Sequence, residues 1–171
     1  MKLYILRHGE AAERGDPRYP NDADRPLTPK GARRTRALVR VLRRLDITFD
    51  VIFSSPLVRA RETAEIVARG LCLQGGVELT EHLSPLGGAE RLVHELDELR
   101  PTPESILLVG HEPDASRLIS LLCTGGPHLS LTLKKGGLCR MEIESLRAGQ
   151  CARLEWLMPP RWIGPKRASR R

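Results

Sequence analysis

The order of apolar segments along the chain predicts a single α/β domain, with a mostly parallel central sheet and helices on both of its faces. Three observations carry this expectation. Leu3–Leu6, Val51–Phe53 and Ile106–Val109 are short continuous apolar runs, the signature of strands buried on both sides. The segments between them repeat their apolar residues at helical spacing. The length of 171 residues suits one domain that can bury a sizeable core without disulfides or metals. Strands alternating with helices give a sheet covered on both faces.

Lys2 to Arg7 reads as the first strand, and His8-Gly9-Glu10 ends it. Residues 11–27 are polar and rich in Asp, Arg, Asn and Pro, a loop of the length that compact domains usually keep for function. Thr28 as N-cap and Pro29 at the first position begin a helix. Its apolar face is Ala37, Leu38, Val41, Leu42 and Leu45, and Arg33, Arg34, Arg36, Arg40, Arg43 and Arg44 form a solvated outer face. Val51–Phe53 is the second strand. Ser55 is expected to cap the next helix, with Pro56 at its first position and Leu57, Ala60, Ala64, Val67 and Leu71 along its buried side. Arg61 and Glu62 fall on its surface. Val77–Leu79 predicts a short strand, residues 84–88 a loop, and Leu92, Val93, Leu96 and Leu99 an amphipathic helix. Ile106–Val109 is the next buried strand and runs into Gly110-His111-Glu112-Pro113, after which Leu118–Leu122 predicts a helix. Leu129–Leu133, Leu138–Ile143 and Ala152–Leu157 alternate as strands do and predict an edge or meander.

Composition narrows the function classes. Apolar residues make up 40% of the chain and charged residues 29%, as in globular domains. No run approaches the ~20 apolar residues of a membrane span, and the N-terminus lacks a signal peptide, so a cytoplasmic protein with no membrane partner is expected. Cys72, Cys123, Cys139 and Cys151 are scattered without metal-ligand spacing, which predicts buried reduced thiols and no zinc. The net charge of +7 is concentrated in residues 159–171, where Arg161, Lys166, Arg167, Arg170 and Arg171 meet no acid. The expected division is a catalytic body, 1–158, and a flexible basic tail, 159–171. The body then offers no general polyanion-binding surface, and a monomer without a nucleic-acid partner is expected.

In open α/β sheets the ligand crevice lies at the carboxyl ends of the strands. Arg7-His8-Gly9, Ser54-Ser55-Pro56-Leu57-Val58-Arg59 and Gly110-His111 all occupy such ends. Two histidines and two arginines beside helix N-termini suit a phosphate dianion, because Arg offers paired donors and helix starts present free N–H groups. Gly9 lets the backbone come close. Neither an Asp-rich cluster nor a nucleotide-binding loop is present, so metal-free chemistry without a cofactor is expected.

These residues also carry a family resemblance. Arg7-His8-Gly9 resembles the signature of the histidine phosphatase superfamily. Residues 54–64, Ser-Ser-Pro-Leu-Val-Arg-Ala-Arg-Glu-Thr-Ala, resemble its S-S-P-x-x-R-A-x-x-T-A motif, and Gly110-His111 its third motif. Arg25-Pro26-Leu27-Thr28-Pro29-Lys30-Gly31 resembles its R-P-L-T-x-x-G stretch. The match spans about residues 1–145, and the short chain is most similar to the SixA-type phosphohistidine phosphatases. The resemblance implies a phosphoglycerate mutase-like fold, with His8 as the nucleophile that takes up the phosphoryl group. It implies that Arg7, Arg59 and His111 bind the phosphoryl oxygens and stabilise charge in the transition state. Gly9, Ser55 and Arg25 are further candidates for substrate binding, although Arg25 could instead order its loop through Asp22 or Asp24.

The general acid departs from the family patterns. Mutase-like members place it in an inserted segment and phytase-like members put Asp directly after the second His. Here Glu112 follows His111, and Glu81 lies in the loop where some members supply acids. Glu112 could equally cap the helix that follows. Imidazole is a good leaving group, whereas a serine alkoxide needs strong protonation, so a weak acid tilts the substrate toward an N–P bond. The leading expectation is hydrolysis of phosphohistidine on a protein. The alternatives are a phosphatase of a small phosphate ester and a non-catalytic polyanion-binding module using the tail.

Overall fold

The computed structural model describes residues 1–163. Its six-stranded sheet has the order β3-β2-β4-β1-β5-β6. The strands are β1 (Lys2–Arg7), β2 (Val51–Ser54), β3 (Glu78–Leu79), β4 (Ser105–Gly110), β5 (Leu138–Ile143) and β6 (Ala152–Met158). The first four lie parallel, β5 joins antiparallel to β1, and β6 joins antiparallel to β5. Helices α1 (Pro29–Arg44) and α2 (Val58–Leu71) cover one face, and α3 (Ala89–Asp97) and α4 (Asp114–Thr124) cover the other. Alternation along the strands divides the core accordingly. Leu3, Ile5, Ile106 and Leu108 pack toward α3 and α4, while Tyr4, Leu6, Leu107 and Val109 pack toward α1 and α2. The predicted fold class is therefore the observed one.

α1 begins as expected, with Thr28 Oγ1 accepting from Gly31 N–H at 3.0 Å and Pro29 in the first turn. α2 does not begin at Pro56. It starts at Val58 with no side-chain cap, because Ser55 Oγ is engaged elsewhere. Leu129–Leu133 forms no strand, since the backbone groups of Leu133 bond to side chains near the β1 end instead. Of the four cysteines, Cys139 is buried and Cys72 is exposed, where it closes α2 in a left-handed conformation (φ 59°). The expected boundary at residue 158 falls short of the packed chain. Pro160–Trp162 make a 3-10 turn, and Ile163 is buried in the cluster that contains Leu6 and Leu138. The remainder of the expected tail, 164–171, lies outside the described residues.

The polar loop after β1 is closed at its base by an antiparallel bridge between Ala11 and Leu27. A 3-10 turn, Asp22–Asp24, inside this loop rests against α2. Glu62, expected on the surface, is half-buried and accepts from Leu27 N–H at 2.7 Å, which ties the loop to α2.

Candidate active site

The three predicted strand ends converge. β4 lies between β2 and β1, with Arg7 in register with Gly110 and His8 N–H donating to Gly110 C=O at 3.1 Å. The rings of His8 and His111 are 4.9 Å apart between centroids. His8 Nδ1 lies 2.7 Å from the Gly9 carbonyl. A carbonyl only accepts, so Nδ1 carries the proton and Nε2 keeps its lone pair. Burial first, then the positive field of His111, Arg59 and Arg7, lowers the His8 pKa to about 3. The ring is therefore neutral at physiological pH and has a fixed tautomer.

His111 is likewise lowered to about 3, by burial and then by Arg59, Arg7 and Arg25, against an opposing pull from Asp22. Its Nε2 is 2.9 Å from Ser55 Oγ, which also accepts from Leu57 N–H at 3.3 Å. When the Ser55 hydroxyl donates to Nε2, Nδ1–H of His111 is left as a donor. Ser55 thus orients His111 and does not cap α2.

Arg7 donates from Nη1 to Leu133 C=O at 3.0 Å. Arg59 donates from Nη1 to Asp22 C=O at 2.7 Å and from Nη2 to Asp22 Oδ2 at 3.0 Å. Both arginines are lowered, chiefly by burial. Arg7 Nε, Arg59 Nε and His111 Nδ1 are all buried without a hydrogen-bond partner among the described residues. Each unsatisfied buried donor costs about 1–3 kcal/mol, and a tetrahedral oxyanion supplies the acceptors that would cancel this cost.

The other candidates have different tasks. Gly9 N–H is committed to Thr63 Oγ1 at 3.1 Å, and a Cβ on Gly9 would come within 3.1 Å of both Leu27 and Thr35. The glycine therefore admits neighbouring side chains and holds His8 through its carbonyl, and its own amide is not free for a ligand. Arg25 is buried and donates to Asp22 Oδ1 at 2.9 Å and to Ala12 C=O at 2.6 Å, so it orders the loop. Glu81 accepts from Ser84 at 2.7 Å in an exposed turn. Glu112 accepts from Ser116 Oγ at 2.6 Å, within the first turn of α4, and from Leu133 N–H at 2.5 Å. Through Leu133 it steadies the carbonyl that holds Arg7, so the structure gives Glu112 a capping and positioning role. Neither glutamate hydrogen-bonds to His8 or His111.

Sequence reasoning gave no site role to Asp22 or Thr63. Asp22 is the hub of the loop, paired with Arg59, Arg25 and Arg14. Burial raises its pKa, but the hydrogen bond from Arg25 and the charges of Arg59 and Arg25 prevail and hold it below 3.8. It is an anion that positions cations, and it holds no proton to donate. An acid three residues before Arg25 was the available signal. For Thr63 the signal was its place in the motif that also contains Arg59.

Beside His111 opens a cavity of about 500 Å³ between α3 and α4, with Leu83, Leu86 and Leu118 on its apolar side. Leu86 N–H donates to Asp114 Oδ2 at 3.1 Å, which ties the 84–88 loop to the start of α4 along the cavity's lining.

A mostly parallel α/β sheet that brings two neutral histidines, the buried Arg59 and the half-buried Arg7 together at adjoining strand ends is suited to an oxyanion. The sequence model of the Histidine phosphatase superfamily (branch 1) matches residues 3–88, and the chain belongs to this superfamily. It is 36% identical over 168 residues to an uncharacterized protein of Picosynechococcus, covering 96% of this chain and all of that one. It is 30% identical over 126 residues to the phosphohistidine phosphatase SixA of Escherichia coli K12, covering 73% of this chain and 76% of SixA. The solved structure of protein histidine phosphatase SixA complexed with tungstate superimposes with a TM-score of 0.83 at 25% identity, covering 96% of this chain and 100% of that one. These similarities support phosphatase activity. No described helix is long and apolar enough to cross a membrane.

Proposed function

We propose that the protein hydrolyses phosphohistidine on a protein through a phosphorylated His8. The carrying observation is the set of three unpartnered buried nitrogens, on Arg7, Arg59 and His111, grouped with a histidine whose Nε2 lone pair is held free. Nε2 attacks phosphorus; the P–N bond to the substrate imidazole breaks as the P–Nε2 bond of His8 forms. The departing imidazole takes a proton from water. A water molecule then attacks phosphorus and gives its proton to the hydroxide left by the first step, the P–Nε2 bond breaks, and inorganic phosphate leaves with neutral His8 restored. Arg7, Arg59 and His111 hold the equatorial oxygens, where preorganised donors act most strongly on the transition state. His8 needs no base, because it is already neutral.

The engagement of Glu81 and Glu112 with other groups favours a leaving group that departs without a strong acid, as imidazole does. The similarity to SixA and the tungstate bound by that enzyme point the same way. The test compares kcat/KM on a phosphohistidine protein with that on a panel of phosphomonoesters, with His8→Ala as control. Preference for the phosphoprotein, with an acid-labile and alkali-stable adduct lost in His8→Ala, is expected. Faster turnover of a phosphomonoester would replace this reading with a small-ester phosphatase.

A further inference from the structure

A second cavity, of about 750 Å³, lies on the opposite side of β1 from the cavity beside His111. Gly9 and Glu10, which follow the nucleophile directly, line one end, and Ala37, Leu38 and Ile163 contribute apolar surface. Its rim holds Lys30, Arg33, Arg34, Arg40, Lys135 and Arg161, all exposed. Glu10 is its single acid and pairs with Lys30 at 3.0 Å and Arg34 at 3.3 Å. Arg33, Arg40, Lys135 and Arg161 have no salt-bridge partner among the described residues. The near-neutral body therefore conceals a local concentration of charge that composition alone does not reveal.

The cleft is coupled to the site by backbone. Gly136 N–H donates to the carbonyls of Arg7 at 3.0 Å and His8 at 3.1 Å, which places Lys135 on a loop anchored at the catalytic strand end. Six cations around an apolar floor complement a segment that is acidic and partly apolar. The chain beyond Ile163 is a poor occupant, because Lys166, Arg167, Arg170 and Arg171 meet no acid there and like charges repel.

We propose that this cleft docks an acidic, partly apolar segment of the phosphorylated protein substrate, beside the loop that carries His8. The proposal rests on the protein-substrate reading above. Docking here raises the encounter rate and leaves the chemical step alone, since exposed rim charges act mainly on association and are screened by salt. The substitutions Arg33→Glu, Arg40→Glu and Lys135→Glu touch solvated side chains, and the matching Gln set controls for any effect on folding.

Two measurements keep the proposal separate from the reading beneath it. Fluorescence anisotropy follows binding of a labelled peptide of alternating Glu and Leu to the wild type and both triple variants. Steady-state kinetics compares an acidic phosphohistidine protein with p-nitrophenyl phosphate. The expected result is peptide binding that falls about tenfold or more in the Glu variant at low salt. The Gln variant should lie between it and the wild type, and the difference should shrink at high salt. For the phosphoprotein kcat/KM should fall in parallel, while kcat on p-nitrophenyl phosphate is unchanged. Phosphoprotein turnover and peptide binding that ignore the substitutions overturn the docking proposal alone. A wild type that binds the peptide in the cleft yet never turns over phosphoprotein overturns the substrate reading instead. Tighter binding of a single-stranded RNA than of the peptide at the same residues would assign the cleft to nucleic acid and overturn the proposal.

Discussion

Two histidines held neutral deep in the site should make the fold sensitive to mild acid. His8 and His111 both titrate near 3 in the folded chain, against an ordinary value of 6.5. A folded-state pKa below the unfolded one means that the unfolded chain takes up the proton first. The stability tied to each ring is therefore fully present above pH 6.5 and is lost as pH falls toward 3. At about pH 5, roughly 1.5 units below the unfolded value, each histidine has withdrawn about 2 kcal/mol at 1.36 kcal/mol per unit. Together they withdraw about 4 kcal/mol, a large share of the ~5–15 kcal/mol that holds an ordinary domain together. This window lies above the ordinary carboxylate range, so Asp and Glu contribute little to it. Urea denaturation at about pH 7.5 and pH 5 measures the difference, with His8→Asn/His111→Asn as the reference. The wild type should lose several kcal/mol and the double variant most of that less. A wild-type loss under about 1 kcal/mol, or an equal loss in the double variant, would refute the assignment of two buried neutral rings.

Arg59→Ala and His111→Ala should each lower kcat/KM by at least ~10²-fold, because each removes a preorganised donor; steady-state kinetics showing less than a few-fold loss would remove that residue from the site. Glu112→Ala leaves the buried Leu133 N–H without its acceptor and loosens the carbonyl that holds Arg7, so kcat/KM should fall about tenfold. Glu112→Gln keeps an acceptor and should restore most of it, whereas a general acid would be lost equally in both variants. Asp22→Asn should cut kcat/KM by about tenfold and cost about 1–2 kcal/mol in a denaturation midpoint, a figure discounted because the Asp22 side chain is 40% exposed. An unchanged rate would mean that Arg59 is positioned without it. Assays after exhaustive chelation should retain full activity, and restoration by Mg²⁺ of a lost activity would contradict metal-free chemistry.

β1, β2 and β4 were legible because each contains a short apolar run, and β5 and β6 because their residues alternate; position after strand ends marked Arg7, His8, Arg59 and His111 as candidates. What was not legible depends on contacts between segments far apart in sequence. Ser55 has the right residue type and place for a cap, yet a histidine 56 positions away takes its hydroxyl. Leu129–Leu133 alternates like a strand, but Arg7 and Glu112 claim its backbone groups first. Gly9 looked like a point of ligand approach, and the space beside it is filled by Leu27 and Thr35. Asp22 sits in a loop whose polar residues carry no periodicity, so only its spacing of three residues from Arg25 set it apart from Asp24. The cationic cleft escaped because the charges on α1 read as one solvated face until Lys135 and Arg161 are brought beside them.

The strand order has a consequence for how the chain matures. β1 and β2 are not neighbours; β4 lies between them, and Arg7 finds its register partner only at Gly110. A nascent chain thus carries the Leu3–Leu6 run unpaired on that side until residue 110 has emerged, roughly 5–20 s later at ordinary synthesis rates. Pairing at such sequence separation is slow, because loop closure must precede the contacts that reward it. Until then His8 and His111 belong to separate parts of the polymer, so no N-terminal fragment ending before β4 can carry the activity. Assembly of the site therefore waits on pairing between β1 and β4, the segments that carry His8 and His111 at their ends.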